Sequence, residues 1–260
     1  MKKLFTASEL DDYEVGSKEY FEFQKRAIFR KKLLKYCYDT WYDGLIQDAN
    51  LIRNPVREGE ILLELGSGGS YLKDRLPELI TSDVVEGVAD RVVDGRELPF
   101  EDASVRAIFL THAFHHIPDV ERFLSEAYRV LRPGGVVAMI EVAHTPLARF
   151  FFDRMHPEPY EDCAADWRFE QVASMMDSHQ ALSWMVFVRD RKRFQALYPN
   201  FRVTPMRFMP WFTYLVSGGV TRGQILPGFL APRAYLAEYI SIPLRSLFAL
   251  HWRICIQKAD

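Results

Sequence analysis

Five short stretches of this chain carry residue types whose spacing could do chemistry. The first is Glu64-Leu65-Gly66-Ser67-Gly68-Gly69-Ser70, an acidic residue at the end of an apolar run that breaks into a glycine turn. Glycine lacks a Cβ, so such a turn lets a nucleotide-sized ligand approach the main chain. The second is Asp83, at the end of Leu79-Ile80-Thr81-Ser82, where a carboxylate can accept hydrogen bonds from a ribose diol. The third is Asp94-Gly95, followed by Arg96-Glu97-Leu98-Pro99-Phe100. The fourth, Thr111-His112-Ala113-Phe114-His115-His116-Ile117-Pro118-Asp119, supplies three histidines, which titrate near neutrality and suit proton transfer. The fifth is Glu141, near the end of the apolar run Val136–Val142, on the same edge.

The elements that must position these residues follow in order. Ile61–Leu65 reads as a strand, with a helix-like segment Tyr71–Leu76 after the turn. Leu79–Val84 reads as the second strand, Val92-Val93 begins a third, and Val105–His112 is the fourth. Phe123–Leu131 has helical spacing and is stopped by Arg132-Pro133-Gly134-Gly135, after which Val136–Val142 is the fifth strand. Asp83 to Asp94 is too short for a crossover helix, so a turn is expected there. Asp119 has the chemistry of an N-cap for the helix that follows. Strand, glycine turn and helix in alternation predict an α/β fold with a mostly parallel sheet.

This arrangement resembles the class I S-adenosylmethionine-dependent methyltransferases over about Glu58 to His144. Glu64, Gly66 and Gly68 match the family's Glu/Asp-x-Gly-x-Gly-x-Gly motif, with Ser70 at the last glycine. The His-His-Ile-Pro-Asp run resembles the family's loop after the fourth strand, and Leu131-Arg132-Pro133-Gly134-Gly135 its signature before the fifth. The resemblance implies a Rossmann-like sheet with a terminal antiparallel strand and helices on both faces, binding S-adenosylmethionine. By that resemblance Glu64, Gly66, Ser67, Gly68 and Ser70 hold the methionine end, Asp83 the ribose, and Asp94 and Gly95 the adenine, with Thr111 beside them. The sulfonium already activates the methyl group, so catalysis is alignment of a nucleophile and exclusion of water. An oxygen nucleophile needs a base, for which His112, His115 and His116 are the candidates, and Glu141 could bind substrate. No metal site is expected.

Bulk properties exclude several other classes. The net charge of −2 argues against a nucleic-acid binder. Cys37, Cys163 and Cys255 form neither a metal pattern nor a disulfide framework, which suits a reducing cytoplasm. The opening Met1–Asp12 has no apolar core of signal-peptide length. Domain organisation is read as a helical lead-in or lid over 1–57 and a methyltransferase domain over 58–260, with substrate-side insertions at 143–200 and 210–248. The lead-in carries a basic amphipathic stretch from Tyr20 to Trp41, which could lie on an anionic membrane surface or form a solvated lid. Residues 201–260 hold seven basic and two acidic residues in an aromatic-rich setting. That segment could grip a small-molecule or lipid-linked substrate, touch a membrane face peripherally, or form a homodimer contact. Phe201–Phe208 and Leu250–Ile256 read as the closing antiparallel pair. The expected reaction is methyl transfer to a small-molecule, sugar or lipid-linked acceptor, at oxygen first and carbon second. The alternatives are a non-catalytic binding or assembly subunit on the same fold and, resting on the glycine turn alone, a nicotinamide-dependent oxidoreductase. Cofactor preference separates them.

Overall fold

Side chains along the two central strands alternate between two apolar cores, and this alternation organises the molecule. In a computed structural model, which describes residues 13–156, 158–170 and 177–259, strand β1 is Ile61–Leu65, β2 Ile80–Asp83, β3 Arg91–Val92, β4 Val105–Thr111 and β5 Leu131–Val142. These five pair in parallel in the order β3-β2-β1-β4-β5. Strand β8, His251–Lys258, adds antiparallel to β5 and is paired on its far side by β6, Phe201–Val203, and β7, Arg207–Phe208. A strand buried on both faces needs apolar residues at every position, and β4 (Val105-Arg106-Ala107-Ile108-Phe109-Leu110) is nearly continuous in this sense.

Ala107 and Phe109 of β4, with Ala138 and Ile140 of β5, face helices α1 (Lys18–Arg30) and α2 (Lys32–Asp48). Ile108, Leu110, Val137 and Met139 face the opposite core. That core is built by α3 (Val120–Val130), the short α5 (Leu182–Trp184) with its π-helical continuation Met185–Arg189, and α6 (Arg191–Leu197). Between β5 and α5 lies α4 (Pro146–Met155). Helices α7 (Phe212–Ser217), α8 (Ala231–Ile240) and α9 (Arg245–Phe248) fill the connection from β7 to β8. The expected α/β architecture, with helices on both faces and a terminal antiparallel strand, is what the structure has.

Several boundaries differ from the sequence reading. The stretch after the glycine turn is only a 3-10 turn, Leu72–Asp74. The connection from β2 to β3 holds no helix, as its length required. Helix α3 ends at Val130, just before Arg132–Gly135 as expected, but the fifth strand begins at Leu131 and not at Val136. Pairing passes from Val105–Leu131 directly to Ala107–Val136, so the Pro-Gly-Gly residues bulge out of a strand that starts at Leu131. Thr204-Pro205-Met206 splits the penultimate strand in two, because proline has no N–H to give the ladder. The basic stretch from Tyr20 is two helices broken at Lys31. The Lys31 ammonium donates to the carbonyls of Gly219, Val220 and Arg222, tying the lead-in to the C-terminal insertion. The opening residues Met1–Asp12 and Pro157 lie outside the described residues.

Trp41 of α2 is fully buried and its ring meets those of Tyr38, Tyr214, His112 and His251. Removing so large a buried side chain leaves a cavity that the surrounding elements cannot close. Trp41→Ala should cost about 3–5 kcal/mol in urea unfolding with the slope unchanged, whereas a loss under about 1 kcal/mol would show that α2 is not integral to the core.

Candidate active site

The carboxyl ends of β1, β2, β4 and β5 meet at one edge of the sheet, and the chemically capable residues gather there. At the end of β1, Glu64 is buried, and its Oε1 accepts from Ser70 Oγ at 2.8 Å. Its Oε2 is sealed from solvent with no hydrogen-bond partner among the described residues. Burial pushes the Glu64 carboxyl up to about 7, against the Ser70 hydrogen bond. Ser70 Oγ also lies 3.0 Å from the Tyr42 hydroxyl of α2, so the turn is tied to the lead-in helix.

Gly66 and Gly68 both take positive φ, 65° and 44°, which side-chain-bearing residues adopt at a cost. Space is equally decisive. A Cβ at Gly68 would come within 2.8 Å of the Phe21 ring of α1, and one at Gly66 within 2.6 Å of the Ala113 Cβ. Helix α1 therefore lies on the glycine turn as a cover. Asp83 joins the two neighbouring strand ends: its Oδ2 accepts from Gly68 N at 3.0 Å and its Oδ1 from Val85 N at 3.1 Å. Ser67 Oγ accepts from Ser82 N at 3.2 Å. Asp94 differs, because both its oxygens are engaged by the Arg96 guanidinium, at 2.7 to 3.1 Å. Gly95 packs against Leu65, Ile117 and Phe123, and Thr111 Oγ1 is buried without a hydrogen-bond partner among the described residues.

The histidines form the other half of the site. His112 sits just beyond β4 at φ 57°, a left-handed conformation that a non-glycine residue holds only under constraint. Its N–H donates to Ile140 O, and burial lowers its pKa to about 4, so it is neutral. Glu141 is fully buried with both oxygens in use. Oε1 accepts from Phe114 N at 2.9 Å, and Oε2 lies 2.6 Å from His115 Nδ1. The carboxylate therefore organises the turn after β4 and is not free to bind substrate through those atoms.

A residue from the 143–200 insertion completes the group. Glu158 Oε2 lies 3.5 Å from His115 Nε2 and 4.0 Å from His116 Nε2, and it accepts from Ser178 Oγ at 2.7 Å and from Gln180 Nε2. Burial alone would lower the His115 pKa, but Glu141 and Glu158 on either side push it up to about 10. His116, equally desolvated and beside His115, falls to about 4. His251 of β8 stacks edge-on against His112, with ring centroids 4.7 Å apart. The sequence places Glu158, Ser178 and Gln180 in an insertion that could line a pocket. That Glu158 reaches the two histidines has no signal in local spacing. His156, from the same insertion, takes a hydrogen bond from Glu158 N on its Nδ1 at 3.4 Å.

The perturbed Glu64 makes a pH prediction. Its pKa in the folded protein is about 7 against an ordinary 4.5, so the folded form keeps a proton that the unfolded chain gives up in between. This contribution to stability is complete below the lower value and is lost as pH rises through the upper one, on the order of 3 kcal/mol in total. Urea unfolding across this range should show that loss in the wild type and not in Glu64→Gln. Parallel curves for the two proteins would show that Glu64 ionises normally.

Residues 63–139 match the family described as "Methyltransferase domain". The ubiquinone/menaquinone biosynthesis C-methyltransferase of Brucella anthropi is 38% identical over 68 residues, covering 25% of this chain and 26% of that protein. The 27-O-demethylrifamycin SV methyltransferase of Amycolatopsis mediterranei is 34% identical over 107 residues, covering 33% of this chain and 39% of its own. The chain thus spans well under half the length of these curated relatives. In fold, it is similar to the geranyl diphosphate C-methyltransferase of Streptomyces coelicolor, with TM-score 0.51 and 13% identity over 98% of this chain and 89% of that one. Residues 63–139 thus carry a likeness to the methyltransferase domain, and the sheet order over the whole chain agrees with that fold.

Proposed function

We propose that this protein is an enzyme that transfers a methyl group from S-adenosylmethionine to a small-molecule or lipid-linked acceptor. The observation that carries this reading is the buried Glu64 carboxylate, with one oxygen lacking a partner among the described residues, above a glycine turn that Asp83 pins from the next strand. An unpaired buried carboxylate oxygen is costly unless a donor such as an ammonium group meets it. The donor set fits the cofactor's methionine end at Glu64, Gly66, Ser67, Gly68 and Ser70, and its ribose at Asp83. Asp94, Gly95 and Thr111 would line the adenine side, with the Arg96 side chain turning away from Asp94 to expose it. The bound sulfonium supplies an activated methyl group. The chain supplies alignment, a cover in α1, and at the end of β4 the neutral histidine His112.

Oxygen is the first acceptor chemistry and carbon the second. For oxygen, a proton must leave as the new bond forms; His112 and His116, both neutral, are the candidates to take it, whereas His115 already holds its proton between two carboxylates. The relatives are named for both chemistries, a C-methyltransferase and a 27-O-demethylrifamycin methyltransferase. An apolar portion in the acceptor is supported by the exposed Ile225, Phe229, Tyr239 and Ile240 on the 210–248 insertion. Among the described residues no helix is long and apolar enough to cross a membrane, so a lipid-linked acceptor would be met peripherally.

At a ligand concentration about 100-fold above Kd, S-adenosylhomocysteine should raise Tm by about 5–10 °C, and NAD should not. Asp83→Ala and Glu64→Gln should each lose at least half of that rise. An equal response to NAD would favour the oxidoreductase reading. S-adenosylhomocysteine binding without transfer of labelled methyl to phenolic, sugar-hydroxyl or prenylated quinone acceptors would favour a non-catalytic binding subunit.

A further inference from the structure

We propose that His115, His116 and Glu158 bind one divalent transition-metal ion, with Glu141 holding His115 in the ligating orientation. One ligand atom from each of the three residues lies within 4.8 Å of the other two. The spacings are informative because they are longer than ordinary charge-assisted hydrogen bonds. At 3.5 and 4.0 Å, the two imidazole Nε2 atoms stand off Glu158 Oε2. Ligands about 2.0–2.1 Å from a common tetrahedral ion lie about 3.4 Å from one another, so a small closure around an ion satisfies the group.

The surroundings resemble the outer shell of a metal centre. His115 Nδ1, 2.6 Å from Glu141 Oε2, has the carboxylate partner that fixes a ligating imidazole with its Nε2 turned to the ion. Glu141 is itself held by Phe114 N, which stops the carboxylate from following the ring. Ser178 Oγ and Gln180 Nε2 both donate to Glu158, orienting the third ligand. His115 and His116 come from one 3-10 turn, Phe114–His116, so the backbone presents both rings to the same side. His116 keeps 23% of its side chain exposed and Glu158 14%, which leaves an access route from solvent.

The donor set selects the metal class. Two imidazoles and one carboxylate suit zinc and neighbouring divalent ions, in preference to magnesium or calcium, which take all-oxygen shells. Three protein ligands leave at least one coordination position open, the pattern of reactive and not structural sites. An oxygen-bearing acceptor could occupy that position. This use rests on the methyl-transfer reading, whereas metal binding itself does not.

The test is titration of chelator-treated protein with Co2+ alone, read by its visible ligand-field absorption, followed by competition with Zn2+. One equivalent should give a saturable tetrahedral-type band that Zn2+ abolishes and Mg2+ leaves intact. Glu141→Gln should weaken cobalt binding about 10–100-fold, and His116→Ala and Glu158→Gln should remove the one-equivalent band. Each variant's fold is checked by its circular dichroism and its thermal response to S-adenosylhomocysteine. If a variant fails to fold, paramagnetic shifting of the His115 and His116 ring resonances by Co2+ in wild type decides the point. No saturable band in the wild type, or the same band in folded His116→Ala, would overturn the proposal. The cluster would then be held by a proton shared between His115 and its two carboxylates. A cobalt band without any S-adenosylhomocysteine response would keep the metal site and sink the cofactor reading.

Discussion

The interaction on which the site depends is the satisfaction of one buried carboxylate, Glu141, at the end of β5. An ionised carboxylate sealed from water is strongly unfavourable unless both oxygens are met. Here one meets the Phe114 N–H and the other the His115 ring. Those two bonds fix the turn after β4, and with it the directions of His115 and His116. The insertion that follows β5 then folds back to place Glu158 against the same two rings. The parallel pairing of β4 with β5 is therefore more than scaffold, since it sets the height of Glu141 relative to Phe114.

A second constraint runs through the aromatic cluster beneath the histidines. His112 holds its left-handed backbone while its ring packs against Trp41 of α2 and His251 of β8. Three elements far apart in sequence thus share one contact. Strain at such a position persists only where surrounding packing over-determines it. The lead-in helices are consequently part of the same core as the sheet, and α1 reaches from that core to cover the glycine turn through Phe21.

Much of the lead-in's positive charge is spent inside the molecule. Lys25 pairs with Asp74, Arg26 with Glu22 and Lys35 with Asp39, while Lys31 caps carbonyls of the C-terminal insertion. Exposed pairs of this kind contribute little stability, yet they compete with any anionic surface for the same side chains. The three most exposed large apolar side chains, Ile225, Phe229 and Tyr239, instead lie on the 210–248 insertion. A peripheral contact would therefore be apolar in character there, more than electrostatic along α1.

The glycine-turn half of the candidate site was legible in sequence because it is local. Glu64, Gly66 and Gly68 belong to one turn, Asp83 ends the next strand, and period and glycine placement report such features directly. The histidine half was legible only in its residue types. His112, His115, His116 and Glu141 stand at strand ends that the alternation predicts, but their pairing is a matter of register between β4 and β5. Arg132–Gly135 shows the same limit. A Pro-Gly-Gly run signals a break, whereas strand pairing on both sides of it turns the break into a bulge. The sequence by itself determined the order of elements along the chain and the likeness of residues 63–139 to a methyltransferase domain. Only the tertiary structure decided that Arg96 takes Asp94, that Glu141 is consumed in support, and that Glu158 arrives from a distant insertion to face two histidines. Local propensity and spacing act over a few residues, while a buried charge chooses its partner from whatever the fold brings within hydrogen-bond distance.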